Sequence, residues 1–268
     1  MIQPDGSYFF PSATRRNPNF GSMWLRTTDG LSWYRGLIAG ASRRFSAGLA
    51  MQASYTLGRS EDLGSQAIGS ADFENSFQPR YAFDAMDNKG LSDFDIRHNF
   101  TFNATWEIPV GAPTGVTRAI AAGWQLSSIL AARSGIPFTP VLGLDRARAA
   151  PRSGGAGQRP DLVPGCSLNP VLGGADQYSD PNCFSLPALG TLGNVPRNTI
   201  IGPGFASWDM AVFKNIMLGG RRRIQLRAEG FNVTNHVNLG LPLTTVFNSA
   251  GRVSNAGQIM TIVGTARQ

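Results

Sequence analysis

Apolar and polar side chains alternate along several segments of the chain, and the longest run lies at residues 93–109. The apolar positions of that run share one parity: Phe100, Phe102, Ala104, Trp106 and Ile108. Successive side chains of a β-strand point to opposite faces, so the pattern predicts a long strand with one apolar and one polar face. An apolar face that ends in tryptophan is typical of a strand that crosses an outer membrane with its polar side toward a lumen.

Similar alternation predicts seven strands in all. They span residues 20–28, 33–44, 48–60, 93–108, 122–134, 206–217 and 222–234. Long loops are expected at residues 61–92, 135–205 and 235–257, with short turns between them; only the turn at residues 29–30 breaks this alternation. Alternating short and long connections are anomalous in a compact soluble domain and typical of an outer-membrane barrel. The pattern predicts an all-β fold, an antiparallel transmembrane β-barrel of about seven to eight strands, with residues 258–264 as the alternative eighth strand.

The predicted topology assigns aromatic side chains to two rims of the barrel. Trp106 and Trp124 fall at the periplasmic rim, and Tyr55 and Trp208 fall near the extracellular rim, as an aromatic girdle requires. Six polar side chains are expected to face the lumen: Arg97, Glu107, Gln125, Asp209, Arg227 and Glu229. We expect them to pair with one another across neighbouring strands, because buried charges need partners.

The composition agrees with a barrel and excludes several other classes. The chain has 32 glycines, 17 prolines and only 15% charged residues, which disfavours both a helical bundle and a charge-rich disordered chain. No stretch approaches the roughly 18 apolar residues of a membrane helix. The net charge of +7 comes from scattered basic residues without a nucleic-acid motif, so we expect no nucleic-acid partner. No signal peptide is visible, so for an exported protein an N-terminal portion is expected to be missing.

Few residues point to chemistry. Cys166 and Cys183 lie in one loop without a nearby histidine, which favours a disulfide over zinc, with two free thiols as the alternative. His98 and His236 belong to no constellation that makes a general base, so we predict no catalytic residue, no cofactor and no enzyme activity. The acidic residues between 61 and 95 raise a calcium hypothesis, but their spacing differs from an EF-hand loop. Solvated loop carboxylates are the preferred interpretation, and no metal site is predicted.

Five segments together carry a family resemblance. They are YRGLIAGASRRFSAGLAMQASYTLGRSED, LSDFDIRHNFTFNATWEIPVG, GWQLSSILAARSGIPFTP, GNVPRNTIIGPGFASWDMAVFKN and RIQLRAEGFNVTNHVNLGLP. They resemble the C-terminal barrel of TonB-dependent receptors, specifically the Oar-like group abundant in acidobacteria, over residues 20–268. FDIRHNF and RAEGFNVTNHVN are the most specific pieces. The resemblance implies a 22-stranded barrel, a plug domain and an N-terminal regulatory-like β-sandwich, of which the plug and the sandwich are absent from this chain.

The resemblance also implies a function and partners. It implies the barrel part of a transporter in the outer membrane of a Gram-negative bacterium, which moves a large solute and is energised through TonB. The expected partners are outer-membrane lipid, TonB through the missing N-terminal part, the barrel-assembly machinery and an unknown extracellular substrate held by the long loops. Because the terminal aromatic strand of the family is lacking, we expect a fragment of a larger barrel. A soluble or surface-attached β-sandwich that binds glycan or protein is the alternative, and it requires the apolar faces to pack into an interior.

Overall fold

Six long antiparallel strands form one sheet in the computed structural model, which describes residues 3–4, 8–10, 19, 28–65, 84–111, 114–148, 158–218 and 222–264. They are β1 (Ser32–Ser46), β2 (Leu49–Asp62), β3 (His98–Glu107), β4 (Trp124–Arg133), β5 (Phe205–Met217) and β6 (Arg223–Gly230). The strands lie side by side in chain order, and the short strand Gly90–Leu91 pairs with the end of β2. The expectation of an all-β, antiparallel fold is confirmed.

Short and long connections alternate between the two ends of this sheet. Ala47 and Gly48 join β1 to β2 with φ angles of 52° and 80°, the paired positive values of a tight hairpin turn. Residues 108–123, with the helix Gly115–Ala121, join β3 to β4, and residues 218–222 join β5 to β6. We call this end of the sheet the short-turn end. The opposite, long-loop end carries the described residues of 63–97, 134–204 and 231–264.

Several predicted boundaries differ from the structure. β3 begins at His98 rather than at residue 93, because Asp95 donates from its N–H to the Ser92 carbonyl (2.9 Å) and closes a turn. β6 ends at Gly230 rather than at residue 234. Residues 258–264, the alternative eighth strand, make single bridges to Leu239 and Pro242 and do not join the sheet. The predicted strand at residues 20–28 falls almost wholly outside the described residues.

The register places most apolar side chains of the six strands on one face of the sheet, whereas a few, among them Ile38, Ile129 and Phe213, lie on the other. One row across neighbouring strands joins Tyr55, Phe100, Ala132 and Ala206, and the next joins Phe102, Leu130 and Trp208. We call this side the apolar face, and the side that carries the intervening residues the polar face. Leu37 is 63% exposed and Leu226 is 57% exposed. In the described part of the chain, therefore, no second sheet covers the apolar face.

The buried apolar core lies in the long connections rather than between strands. Its members are Phe138, Leu142, Phe184, Val195, Ile200, Val246, Phe247 and Ala256. Short strands hold these segments together: Pro137–Phe138 pairs with Ile200–Ile201, Asp161–Leu162 with Phe184–Ser185, and Thr245–Asn248 with both Val141–Leu142 and Gly251–Arg252. Burying each phenylalanine stabilises such a core by about 2 kcal/mol. We call the described residues of 134–204 and 231–264 the loop layer.

Two short 3₁₀ helices, Ala85–Asn88 and Pro181–Cys183, complete the described elements, each begun by an aspartate side chain that accepts a backbone N–H. No helix in the described ranges is long and apolar enough to span a membrane.

Candidate functional site

Five of the six predicted lumen residues lie on the polar face of the sheet, by the register of the strands. They are Glu107, Gln125, Asp209, Arg227 and Glu229, and Arg97 lies just before β3. Arg227 and Glu229 form an ion pair within β6, and the Arg227 guanidinium lies over the Phe213 ring at 5.2 Å. The polar face therefore offers charged and aromatic groups to water across several adjacent strands.

Asp209 has a structural role that the sequence analysis missed. Its carboxylate accepts the N–H of Asn232 at 2.7 Å and the Ser207 hydroxyl at 3.2 Å, so it fixes the turn that follows β6. The Asn232 carboxamide then bonds both the N–H (3.1 Å) and the carbonyl (2.9 Å) of His236. This turn replaces the predicted end of the strand, because the asparagine side chain competes with strand pairing for the backbone.

Asn238 completes this junction between β5 and the loop layer. Its side chain accepts the N–H of Ala206 at 2.7 Å and donates to the carbonyl of Ala206 at 2.8 Å. The carboxamide thus takes the place of a backbone partner on β5. The motif RAEGFNVTNHVN therefore holds the loop layer against the end of the six-stranded sheet, which we call the wall.

Arg197 is the centre of a buried polar cluster at the long-loop end. Its guanidinium forms ion pairs with the carboxylates of Asp62 and Asp93, the latter at 3.3 Å. It also donates to the carbonyl of Asp62 at 2.8 Å and, from Nε, to the carbonyl of Asn88 at 3.1 Å. One side chain from the loop layer therefore binds both the end of β2 and the connection between β2 and β3.

Asn198 extends the cluster. Its Nδ2 donates to the carbonyl of Leu91 at 2.7 Å and to Asp93 at 2.6 Å, and its Oδ1 accepts the Thr139 hydroxyl at 2.9 Å. The clamp, as we name Asp62, Asn88, Asp93, Arg197 and Asn198, is buried throughout. Its one guanidinium faces two carboxylates, and buried charges persist only when they are paired and hydrogen-bonded.

The clamp arginine lies in the segment GNVPRNTIIGPG, whose pattern predicts a loop and no role for this side chain. The available signal was an adjacent Arg197 and Asn198 inside a Gly- and Pro-rich apolar loop segment, where a charged side chain needs a partner. Its partners are up to 135 positions away in the sequence, so no local pattern identifies them.

Two backbone segments approach each other closely where the loop layer leaves β4. A Cβ atom on Gly135 would overlap the carbonyl oxygen of Gly202 and lie 2.7 Å from that of Pro203. Both positions belong to segments that carry the family resemblance. The close approach explains why glycine stands at residue 135.

Cys166 and Cys183 form a disulfide in the loop layer, with a Cα–Cα distance of 5.5 Å across 17 positions. Val163 donates its N–H to the Cys183 carbonyl at 2.9 Å, beside the paired strands Asp161–Leu162 and Phe184–Ser185. The disulfide therefore closes a loop whose base is already hydrogen-bonded.

The four predicted girdle aromatics all lie on the apolar face. Trp106 and Trp124 are near the short-turn end, and Tyr55 and Trp208 are nearer the long-loop end. Their polar atoms have partners: Trp124 Nε1 donates to the Ile120 carbonyl (2.9 Å), Trp208 Nε1 to Ser128 Oγ (2.8 Å), and Tyr55 Oη lies 2.7 Å from Nδ1 of His98. An apolar ring with a satisfied polar tip suits a membrane interface.

The acidic stretch behind the calcium hypothesis serves the clamp and its surroundings. Asp62 and Asp93 bind Arg197, and Asp95 accepts the Ser60 N–H at 2.5 Å. Across the described residues, no group of three His, Cys, Asp or Glu side chains is arranged to hold a metal ion. Asp72 and Glu74 lie outside the described residues.

A recess of about 210 Å³ opens on the polar face near the long-loop end. Its lining is Tyr34, Thr56, Ser60, Phe94, Asp95, Ile96 and Asn99. The Tyr34 ring lies over two glycines that pair across β1 and β2: a Cβ atom on Gly36 would lie 2.6 Å, and one on Gly58 3.2 Å, from Tyr34 Oη. Because the two glycines have no side chains, the aromatic ring can pack directly against the backbone of both strands.

An antiparallel wall with an uncovered apolar face, a polar face and alternating connections defines a transmembrane β-barrel protein. The chain belongs to the outer membrane beta barrel domain family, whose model matches residues 4–268. Its location is therefore the outer membrane of a Gram-negative bacterium. No curated protein and no solved structure matches the chain.

Proposed function

We propose that the chain is the barrel wall of a TonB-dependent outer-membrane transporter that moves a large solute. The observation that carries the proposal is that the sheet is open at both edges and has one polar face. In the described residues β1 pairs only with β2, and β6 pairs only with β5, so the six strands form an arc rather than a closed barrel.

The width of the barrel decides whether a lumen exists. Barrels of about eight strands are filled by their own side chains, whereas barrels of about 22 strands enclose a lumen closed by a plug. A continuous polar face with unpaired edges fits the wider class, with the remaining strands supplied by the rest of the protein. The family resemblance of the motifs supports the same choice.

The loop layer is the proposed extracellular cover of the lumen. Bacterial barrels have short turns in the periplasm and long loops outside, so we assign the long-loop end to the extracellular side. The disulfide in the loop layer agrees with a location outside the cytoplasm, because disulfides persist in oxidising compartments. Substrate contacts would come from residues 63–97 and 134–204, and TonB would act through the N-terminal part of the protein.

The proposed role is transport, without catalysis. The soluble sandwich that stood as the alternative finds no support, because among the described residues the apolar face has no second sheet against it and the chain belongs to an outer-membrane family.

The test uses the source bacterium in three strains: the parent, a deletion of this gene and a deletion of TonB. Growth is compared on panels of polysaccharides, peptides and iron chelates. We expect at least one solute whose use is lost equally in both deletions and restored by the full gene. Use of a solute that requires this gene but proceeds without TonB would contradict the proposal.

A further inference from the structure

Three basic side chains lie together at the long-loop end of the apolar face. Arg35 on β1 stands directly opposite Arg59 on β2, and both are exposed. Lys89 Nζ lies 4.5 Å from the ring centroid of Trp33, which stands opposite Glu61 on the same face. We call Arg35, Arg59 and Lys89 the basic row.

The charge of the row is only partly balanced. Arg59 Nη2 lies 2.8 Å from Glu61 Oε1, and Lys89 and Arg35 also interact electrostatically with Glu61. Asp95 acts on Arg59 as well, but its carboxylate is buried and accepts the Ser60 N–H. Three cations thus share one partly buried carboxylate, that of Glu61. Like charges directly opposite each other weaken an antiparallel pair, so an anion at this place would stabilise the hairpin.

The basic row lies where the rows of apolar side chains, which we call the apolar band, end toward the long-loop end of the sheet. The next row toward the short-turn end is Leu37 and Leu57, and the row after it contains Ala39, Tyr55 and Phe100. Charges that lie immediately beyond an apolar band fall at the level of the lipid headgroups when the band is in the membrane. Trp33, opposite Glu61, lies at this level.

We propose that the basic row binds the phosphate groups of an anionic lipid in the outer leaflet of the outer membrane. Guanidinium groups match phosphate oxygens with two parallel N–H donors, and clustered basic residues at a membrane surface select phosphorylated headgroups. The inference rests on the orientation given in the proposed function. It does not depend on TonB or on the transported solute.

The test measures lipid binding to the full-length protein that contains this chain by native mass spectrometry, with diphosphorylated lipid A and its fully dephosphorylated form as probes. We expect the wild-type chain to prefer the phosphorylated form. The variant R35Q/R59Q should bind it roughly tenfold more weakly or worse, and R35K/R59K, which keeps the charges without the paired N–H donors, should bind with intermediate affinity. The matched control is R43Q/R44Q, which removes two charges near the short-turn end of β1 and should bind as the wild type does.

Three outcomes would overturn the proposal: equal binding of both lipid forms, wild-type affinity in R35Q/R59Q, or an equal loss in R43Q/R44Q. Inorganic pyrophosphate serves as the competitor. If it displaces lipid A at the concentration at which lipid A itself binds, the row is a site for soluble phosphate, and the proposal is overturned as well. If R35Q/R59Q does not fold, R35Q alone keeps the Arg59–Glu61 ion pair, and we expect a loss of about fivefold. Unchanged growth phenotypes in the strain test leave this result intact, so the two proposals fail separately.

Discussion

Arg197 and Asp62 form an ion pair that is almost completely buried, with side chains 3% and 6% exposed, and it joins the loop layer to the end of β2. Taking two charges out of water is costly, and the loss is recovered only with good geometry and further hydrogen bonds. The additional bonds of Arg197 to Asp93 and Asn88 meet that condition. The clamp therefore fixes how the loops sit on the wall.

Removing the clamp arginine is expected to release the loops. Arg197→Ala leaves the Asp62 and Asp93 carboxylates buried without their cation, which costs about 3–5 kcal/mol in the free energy of unfolding. Hydrogen–deuterium exchange should increase at residues 84–97 and in the loop layer. The matched control is Arg227→Ala, which removes an ion pair whose side chains are 56% and 34% exposed and should cost less than about 1 kcal/mol. Equal effects of the two substitutions would argue against the clamp.

Gly135→Ala is expected to disturb the point where the loop layer leaves β4. The added methyl group would collide with the Gly202 backbone, which has no flexible atom to move aside. We expect a loss of at least about 2 kcal/mol in stability, as for other overpacked sites. Gly40→Ala is the control, because the nearest atom to its Cβ would be the Ala53 carbonyl at 3.8 Å. Both variants are compared by chemical denaturation. Equal midpoints for Gly135→Ala and Gly40→Ala would contradict the close approach.

Reduction of the Cys166–Cys183 disulfide should loosen the loop layer and leave the wall in place. A disulfide that closes a loop of this size stabilises by about 3 kcal/mol. We expect limited proteolysis to cut residues 158–190 faster after reduction, while the strands remain protected in the membrane. In C166S/C183S, proteolysis should already be fast and the reductant should change nothing. Cleavage within β3 or β4 on reduction would show that the disulfide supports the wall as well.

Tyr178 should make the loop layer sensitive to alkaline pH. Burial raises the pKa of its hydroxyl, which donates to the Ile201 carbonyl at 3.0 Å. Because the pKa is higher in the folded than in the unfolded state, the stabilisation is complete below the ordinary value of about 10 and is lost as the pH rises through the raised one. The Tm of the wild type should therefore fall more steeply above about pH 10 than the Tm of Tyr178→Phe. Parallel curves for the two proteins would rule out this contribution.

The strands could be predicted from the sequence because a period of two is written locally in residues such as Phe100, Phe102 and Ala104. Their ends could not. At residues 93–97 and 231–234 the alternation continues, but the backbone bond from Asp95 to Ser92 and the side chain of Asn232 turn the chain out of the strand. Each of the two most specific family motifs spans a junction between the sheet and the loops: FDIRHNF contains the start of β3, and RAEGFNVTNHVN contains the end of β6.

The clamp and the core of the loop layer were beyond sequence reasoning for a different reason. Both depend on contacts between distant segments, such as Arg197 with Asp62 and Phe138 with Ile200. Glycine and proline punctuation in this region predicts a loop, but it carries no information on how that loop packs. The lumen role of Asp209 was assigned by parity alone, which gives a face and not a partner.

The central claim is that the apolar face contacts lipid and the polar face contacts water. The most direct test places a single spin label at Leu226 or at Arg227, neighbours on β6, with Cys166 and Cys183 both held in their disulfide. In bilayers, we predict that the label at residue 226 collides mainly with oxygen dissolved in lipid, and the label at residue 227 mainly with a water-soluble nickel complex. Equal exposure of both labels to the nickel complex, or the reverse order, would contradict the account.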